Sequence, residues 1–320
     1  MADISRTDVA TLIQEAYAND FLAYAAKTSA VLQAFPTKNL GTKTTHEPVL
    51  ATKLHAGWVN EHPAANSTKK TGKVTWADKT LVAEELAVIV PVHENVVDDA
   101  TESVLQEITK AGGEAIAYAL DAAVTFGNGK PTTWLSRDLL SSAINGGNHL
   151  VISATPGPTD LAGSILKGAE ALSDRYDPTT LLTRKGLRYR LANLRSDQGV
   201  PIFLTSMSDG VQQDSVYGLN TFYEQGTIDD GAGGDMLVWD GDEVEALIVD
   251  RSRVIIGVRQ DIQVKFLDQA TVNGINLAEK DMVALRFKAR YAYCLGDNIA
   301  YGSTVQTSSP VAAIVPTGGS

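Results

Sequence analysis

The sequence predicts an α+β fold, and three observations carry that prediction. Apolar residues recur every three or four positions from Val97 to Phe126. Two runs before that stretch have the β-branched, partly alternating pattern of strands, and the C-terminal third is largely strand-like. Composition agrees: 320 residues, 44% apolar and 20% charged, can close a sizeable core in one large or two ordinary domains.

From the N-terminus, Val9, Leu12, Ile13, Ala16, Phe21 and Leu22, then Ala25, Ala26, Val31 and Leu32, stand at near-helical spacing. This reads as an amphipathic arm of one or two helices, ended by Pro36. "TKNLGTKTTHEP" follows as turn-rich connection. "VLATKLHAGWV" and "KVTWADKTLVAEELAVIVPV" read as two strands, the second ending in the apolar run Leu86 to Val92. Between them lies a polar segment within "GWVNEHPAANSTKKTGKVTW", which has a tryptophan near each end and a middle that cannot form a core.

After Pro91 the stripe Val97, Ala100, Val104, Ile108, Ala111, Ala115, Ala119, Ala122 and Phe126 predicts a helix of about 30 residues, roughly 45 Å long. The Gly112-Gly113 pair inside it costs about 1 kcal/mol per glycine relative to alanine, which implies a kink or a close contact there. Residues 128–158 are rich in Gly, Ser, Asn and Pro and read as connection with short elements. Residues 159–175 form a helix with Thr159 as its cap. "PTTLLTRKGLRYRLANLRSDQGVPIF" gives a strand, a helix start and a second strand, and the chain from "MLVWDGDEVEALIVDRSRVIIGVRQDIQVKF" to "MVALRFKARYAYCL" is largely β. No fixed-period repeat is present, and the residues from Gly302 onward, small and polar with two prolines, are expected to fray.

The net charge of −11 disfavours long-range attraction to nucleic acid or acidic membranes. No stretch reaches the roughly 20 apolar residues that span a bilayer, and the N-terminus lacks a secretory signal pattern. Cys294 is the only cysteine, so no intrachain disulfide forms; in "YAYCLG" it reads as a buried structural thiol, and the chain as one that matures in a reducing cytoplasm. "GNGKPT" lacks the phosphate-loop spacing, and "HENVVD" from His93 has no second histidine where a zinc helix needs one. The carboxylates Asp229, Asp230, Asp235, Asp240, Asp242 and Glu243 do not follow calcium-loop spacing and read as exposed acidic loops. His46, His55, His62, His93 and His149 are scattered, and no G-x-S-x-G elbow occurs. Nothing here argues for an enzyme, a cofactor or a metal. Arg184, Lys185, Arg188, Arg190 and Arg195 cluster on one helix and its flanks, a solvated face or subunit contact.

The serial order of an arm, a polar-tipped hairpin with "WVNEHPAANST" and "TLVAEELAVIVPVHENVVDDA", a long helix ending "AYALDAAVTFGNGKP", and the closing "YGLNTFY", "VIIGVRQDIQVKF" and "DMVALRFKARYAYCLGDNIAYG" resembles the major capsid proteins of tailed bacteriophages, the Hong Kong 97-like fold. The resemblance covers about residues 5–302. It implies an N-terminal arm (1–45), an extended β-hairpin loop (46–91), a peripheral domain with a long spine helix (92–160), and an axial domain (161–250). Strands returning to the peripheral and axial domains (251–302) and a C-terminal tail (303–320) complete it.

By the same resemblance the chain is a major capsid protein that assembles through hexamers and pentamers into an icosahedral shell around phage double-stranded DNA. It would be assembled in the bacterial cytoplasm and located in the virion. Implied partners are other copies, a portal protein, a separate scaffolding protein, a possible cement protein, and packaged DNA held without sequence specificity. The loop would reach a neighbouring subunit through Trp58, Asn60, Glu61, His62, Lys69, Lys70 and Trp76. A polar hairpin buries little on its own subunit, and ordering it costs about 1 to 2 kcal/mol per residue that contacts to another chain can offset.

Some relatives lock the shell with an isopeptide bond from a loop lysine to an asparagine, assisted by a glutamate. No motif identifies either partner here, so Lys69 and Lys70 are expected to be exposed loop charges without crosslinks. The arm's pattern begins at Val9, so no scaffolding leader is expected ahead of it and the mature N-terminus is expected near Ala2. The alternative of the same fold is an encapsulin-type nanocompartment enclosing cargo enzyme; an enzyme of unknown chemistry is the third class.

Overall fold

A computed structural model describes residues 24–50, 76–93, 102–153, 160–193, 215–229, 235–267, 270–272, 274–299 and 306–316. Its centre is a four-stranded sheet in the order β1-β12-β15-β4. β12 (Val254–Leu267) and β15 (Met282–Leu295) are its long antiparallel pair, with a register shift between Arg259 and Gln263. β4 (Glu84–His93) runs antiparallel to β15 from Tyr291 to Met282, and β1 (Thr37–Leu40) is parallel to β12.

Period-two alternation explains which face is covered. On β4 Leu86, Val88 and Val90 turn inward while Ile89 is exposed, so the apolar run is one buried row and one open row. On β15 Phe287, Ala289, Tyr291 and Tyr293 are buried. Their neighbours Lys288 and Arg290 face outward and meet Glu85 of β4 at 2.7 and 3.6 Å.

Across the inward face lies α2 (Glu102–Thr125), which at about 1.5 Å per residue is roughly 36 Å long. Its preceding residues 94–101 lie outside the described residues. The buried face differs from the expected stripe: Ala111 and Ala115 are exposed, whereas Thr109, Gly112, Ile116, Leu120 and Val124 are buried. In an alanine-rich helix the few large apolar residues set the face, and Ile116, Leu120 and Val124 stand four apart. Gly112 proves to be a close contact: a Cβ there would sit 2.9 Å from the Phe287 ring.

The arm enters as helical residues 24–28, breaks at Ser29 and continues as α1 (Ala30–Ala34), whose N-terminus Ser29 caps through Leu32 N at 3.0 Å. Pro36 ends it as expected. "TKNLGTKTTHEP" is not turn throughout: β1 occupies its start and β2 (Thr44–Leu50) its end. β2 pairs with β3 (Trp76–Val82), which is followed directly by β4. The hairpin therefore ends at Val82 rather than near Val90, because β4 finds its partner in β15.

A second sheet follows the order β5-β18-β11-β6-β8-β7. Its strands are β5 (His149–Val151), β6 (Thr180–Arg184), β7 (Ser215–Val216), β8 (Leu219–Glu224), β11 (Ala246–Val249) and β18 (Val311–Val315). Leu182, Leu247, Val249, Val311 and Ala313 face the main core together with α3 (Leu139–Asn145). Leu181, Ala246, Ile248, Ala312 and Ile314 face α4 (Leu161–Ser173) in a second core. α4 docks closely, since a Cβ on Gly168 would be 2.8 Å from Ile248 Cδ1. Its cap is Asp160, which accepts from Gly163 N at 2.7 Å, rather than Thr159. α5 (Leu187–Ala192) follows β6 as read from the sequence; the second strand expected after it lies outside the described residues. Three ribbons, β9 (Thr227–Asp229) with β10 (Asp235–Leu237), β13 (Thr271–Val272) with β14 (Ile275–Asn276), and β16 (Asn298–Ile299) with β17 (Gln306–Ser308), complete the strands among the described residues.

The expectation that the chain frays from Gly302 is overturned. β18 lies inside the second sheet between β5 and β11, and Val311, Ala312, Ala313 and Ile314 are fully buried. Asn148 Nδ2 donates to the carbonyls of Ser309 and Val311 at 3.1 and 3.3 Å, and Tyr176 Oη meets Ser308 Oγ at 2.7 Å. A continuous apolar run is the mark of a strand covered on both faces, and "VAAIV" is such a run.

Candidate functional site

The assembly elements implied by the resemblance are the hairpin, the arm and the long helix against which the arm packs. Of the hairpin, the paired root is described: β2 and β3 match from Thr44 opposite Val82 to Leu50 opposite Trp76. Trp58, Asn60, Glu61, His62, Lys69 and Lys70 lie outside the described residues, and of Trp76 only its backbone pairing is described.

The root is fastened from three sides. Leu81 and Ala83 pack with Leu40, Ala292 and Cys294 in a small separate core. Lys79 forms an ion pair with Asp297 beyond the end of β15, with only 14% and 9% of their side chains exposed. Trp134 Nε1 donates to Val82 O at 2.9 Å, and Thr133 Oγ1 donates to Glu84 Oε1 at 2.9 Å. Lys38 pairs with Glu47 and exposed His46 Nδ1 meets Asp78 at 2.7 Å along the outer edge. Cys294 is buried as expected, and burial pushes its thiol above the usual range, which disfavours the reactive thiolate.

The arm is clasped by a buried carboxylate that sequence reasoning missed. Asp121 on α2 accepts hydrogen bonds from Ser29 Oγ, from Ala30 N at 3.0 Å and from Val31 N at 3.4 Å, capping α1 from another element. It is 1% exposed, and burial raises its carboxyl to about 7 against those three donors. Beside it, Glu224 of β8 is 2% exposed and is pushed well above the carboxylate range, first by burial and then by the Asp121 charge. Thr125 Oγ1, one turn beyond Asp121, donates to Glu224 Oε1 at 3.5 Å; among the described residues Glu224 Oε2 has no partner. The two acids join arm, long helix and second sheet. The available signal was an aspartate inside the apolar "AYALDAAV", where a charge has no solvent face to occupy.

Part of the cation cluster has an internal role instead of a solvated one. Arg184 Nη2 lies 3.0 Å from Glu245 Oε2 and Arg190 also pairs with that carboxylate, which is fully buried. A Cβ on Gly241 would strike the Arg184 guanidinium, so a side chain there would push that group away from Glu245. Asp240 Oδ1 accepts from the amides of Asp242 and Glu243 at 2.9 and 3.2 Å, closing the acidic turn. Arg195 and Asp230 lie outside the described residues. Among the described residues no group of three His, Cys, Asp or Glu side chains is placed to hold a metal, and no helix is long and apolar enough to cross a membrane.

The comparisons with known proteins meet this geometry along the whole chain. The model of the phage capsid family matches residues 10–300. A solved structure from Mycobacterium phage Bobi is 52% identical with a TM-score of 0.75, covering 99% of this chain and 100% of its own. One from Mycobacterium phage Adephagia is 47% identical with a TM-score of 0.74 and 99% coverage of both chains. The capsid of a native GTA particle, at 14% identity, TM-score 0.63 and coverage of 92% of this chain and 90% of its own, shares the fold. No curated protein matches the sequence. The chain belongs to the phage capsid family.

Proposed function

We propose that this protein is the major capsid protein of a tailed bacteriophage, assembling through hexamers and pentamers into an icosahedral shell around double-stranded DNA. The observation that carries the reading is correspondence from end to end: the family match spans residues 10–300, and a phage structure more than half identical aligns over all but 1% of the chain. The family and the phage structures favour a virion shell over the encapsulin-type alternative.

The described geometry supports a division of labour. Paired strands project from a root fixed by Leu81, Trp134 and the Lys79–Asp297 pair, and the next 25 residues, 51–75, join their outer ends. A hairpin of that length, about 12 residues out and 12 back at about 3.4 Å each, reaches at most about 40 Å. That is enough to lie across a neighbouring copy, with Trp58, Asn60, Glu61, His62, Lys69, Lys70 and Trp76 as contacts. Portal, separate scaffolding and possible cement proteins complete the proposed partners, and assembly in the host cytoplasm completes the proposed location. Negative-stain micrographs of the expressed protein, alone and with its genomic neighbours, test the reading. Closed shells support it, monomers with no higher assembly reject it, and shells filled with an enzyme instead of nucleic acid select the nanocompartment.

A further inference from the structure

A cleft of about 850 Å³ lies where the arm, α2 and β8 meet. Lys27 from the arm, Lys110 from α2, Lys185 from the turn after β6, and Arg251 from the turn before β12 line it. All four are exposed, and none has an ion-pair partner among the described residues; Lys185 Nζ donates only to Gln225 Oε1, at 2.7 Å. Glu114 is the single carboxylate in the lining. A chain carrying −11 overall therefore collects four cations against one acid in one concavity.

We propose that this cleft binds the phosphodiester backbone of the enclosed nucleic acid, without reading its sequence. Three lysines and one arginine supply point charges, and Thr28 and Asn220 supply a hydroxyl and an amide donor of the kind that meet phosphate oxygens. Tyr24, Tyr118 and Tyr223 add polar rings at the wall. The alternative occupant, an acidic segment of a neighbouring copy, fits less well. Protein interface cores are depleted in lysine and built around apolar or arginine anchors, and this lining is polar and lysine-rich. Such a cleft gives an acidic wall a local hold on DNA that its net charge denies it at long range.

The inference rests on the shell reading, and two separate measurements keep the two apart. Purified unassembled protein is titrated with a short fluorescent duplex of arbitrary sequence at several salt concentrations. With three or four phosphates engaged, log affinity is expected to fall against log salt with a slope of about −3, at about 0.9 per phosphate. Lys110→Gln with Arg251→Gln makes that slope shallower by about 2. Lys265→Gln with Lys280→Gln, two exposed cations outside the cleft lining, leaves it unchanged. Absence of salt-dependent binding by the wild type, or equal losses in both double variants, overturns the proposal. If the cleft variant binds duplex like the wild type but no longer forms particles, a neighbouring copy occupies the cleft and the nucleic-acid proposal falls. Particle formation by the wild type, scored by micrograph, tests the shell reading independently.

Discussion

Replacing Glu224 by glutamine is expected to stabilise the protein at pH 8 while changing little at pH 5. At pH 5 the buried carboxyl is already neutral, and the amide is close to it in shape, still accepting from Thr125 Oγ1. An unfolded chain ionises this glutamate near pH 4.5, whereas in the folded state burial and the Asp121 charge hold the proton on. Because the folded value is raised, the linked stability is fully present below the unfolded value and is lost as pH climbs toward the folded one. Each pH unit in that window is worth about 1.4 kcal/mol, so the loss by pH 8 is bounded at about 5 kcal/mol. Water entry and relaxation reduce this to on the order of 1 to 3 kcal/mol. At about 2 °C or more per kcal/mol for a chain of this size, Tm should rise by at least about 2 °C at pH 8. Thermal unfolding of unassembled subunits followed by near-ultraviolet circular dichroism from pH 5 to pH 9 measures it. A Glu224→Gln variant that loses as much at pH 8 as at pH 5 would refute the argument, since Glu224 would then be an ionised, stabilised partner.

Further outcomes follow from the same packing. Asp121→Asn should loosen the arm helix, with faster amide exchange at residues 29–35, because one of the two oxygens that accept from Ser29 Oγ, Ala30 N and Val31 N becomes an amide donor and leaves a buried N–H or O–H unsatisfied, at a cost of about 1 to 3 kcal/mol. Lys79→Met alone should destabilise by about 3 kcal/mol and leave Asp297 uncompensated; adding Asp297→Leu should recover much of the loss in denaturant titration. Ala313→Asp should abolish soluble expression, because a charge in a strand buried on both faces has no partner; a merely frayed tail would tolerate it. Deleting Pro63 to Lys73 should spare the circular dichroism spectrum and Tm of the subunit but eliminate stable shells in micrographs. Normal assembly by that deletion sinks the proposed role of the hairpin.

The sequence by itself determined the local elements whose pattern is unambiguous. The long helix, the strand character of Leu86 to Val92, the stop at Pro36 and the buried thiol of Cys294 each follow from a period or a residue type that leaves little choice. The order of these elements also sufficed to bring the capsid family into view. Tertiary structure decided what depends on a partner distant in sequence. Alanines in α2 fit either face until Phe287 claimed the Gly112 side, and β4 left the hairpin because β15 offers a ten-residue ladder. "VAAIV" resembled a small-residue tail because a strand covered on both sides has no alternation to recognise. Asp121 and Glu224 stand about a hundred residues apart, so their shared burial exists only after the arm, α2 and β8 have come together. Periodicity is written within a segment, whereas desolvation and charge coupling arise between segments, and only the folded chain brings those segments into contact.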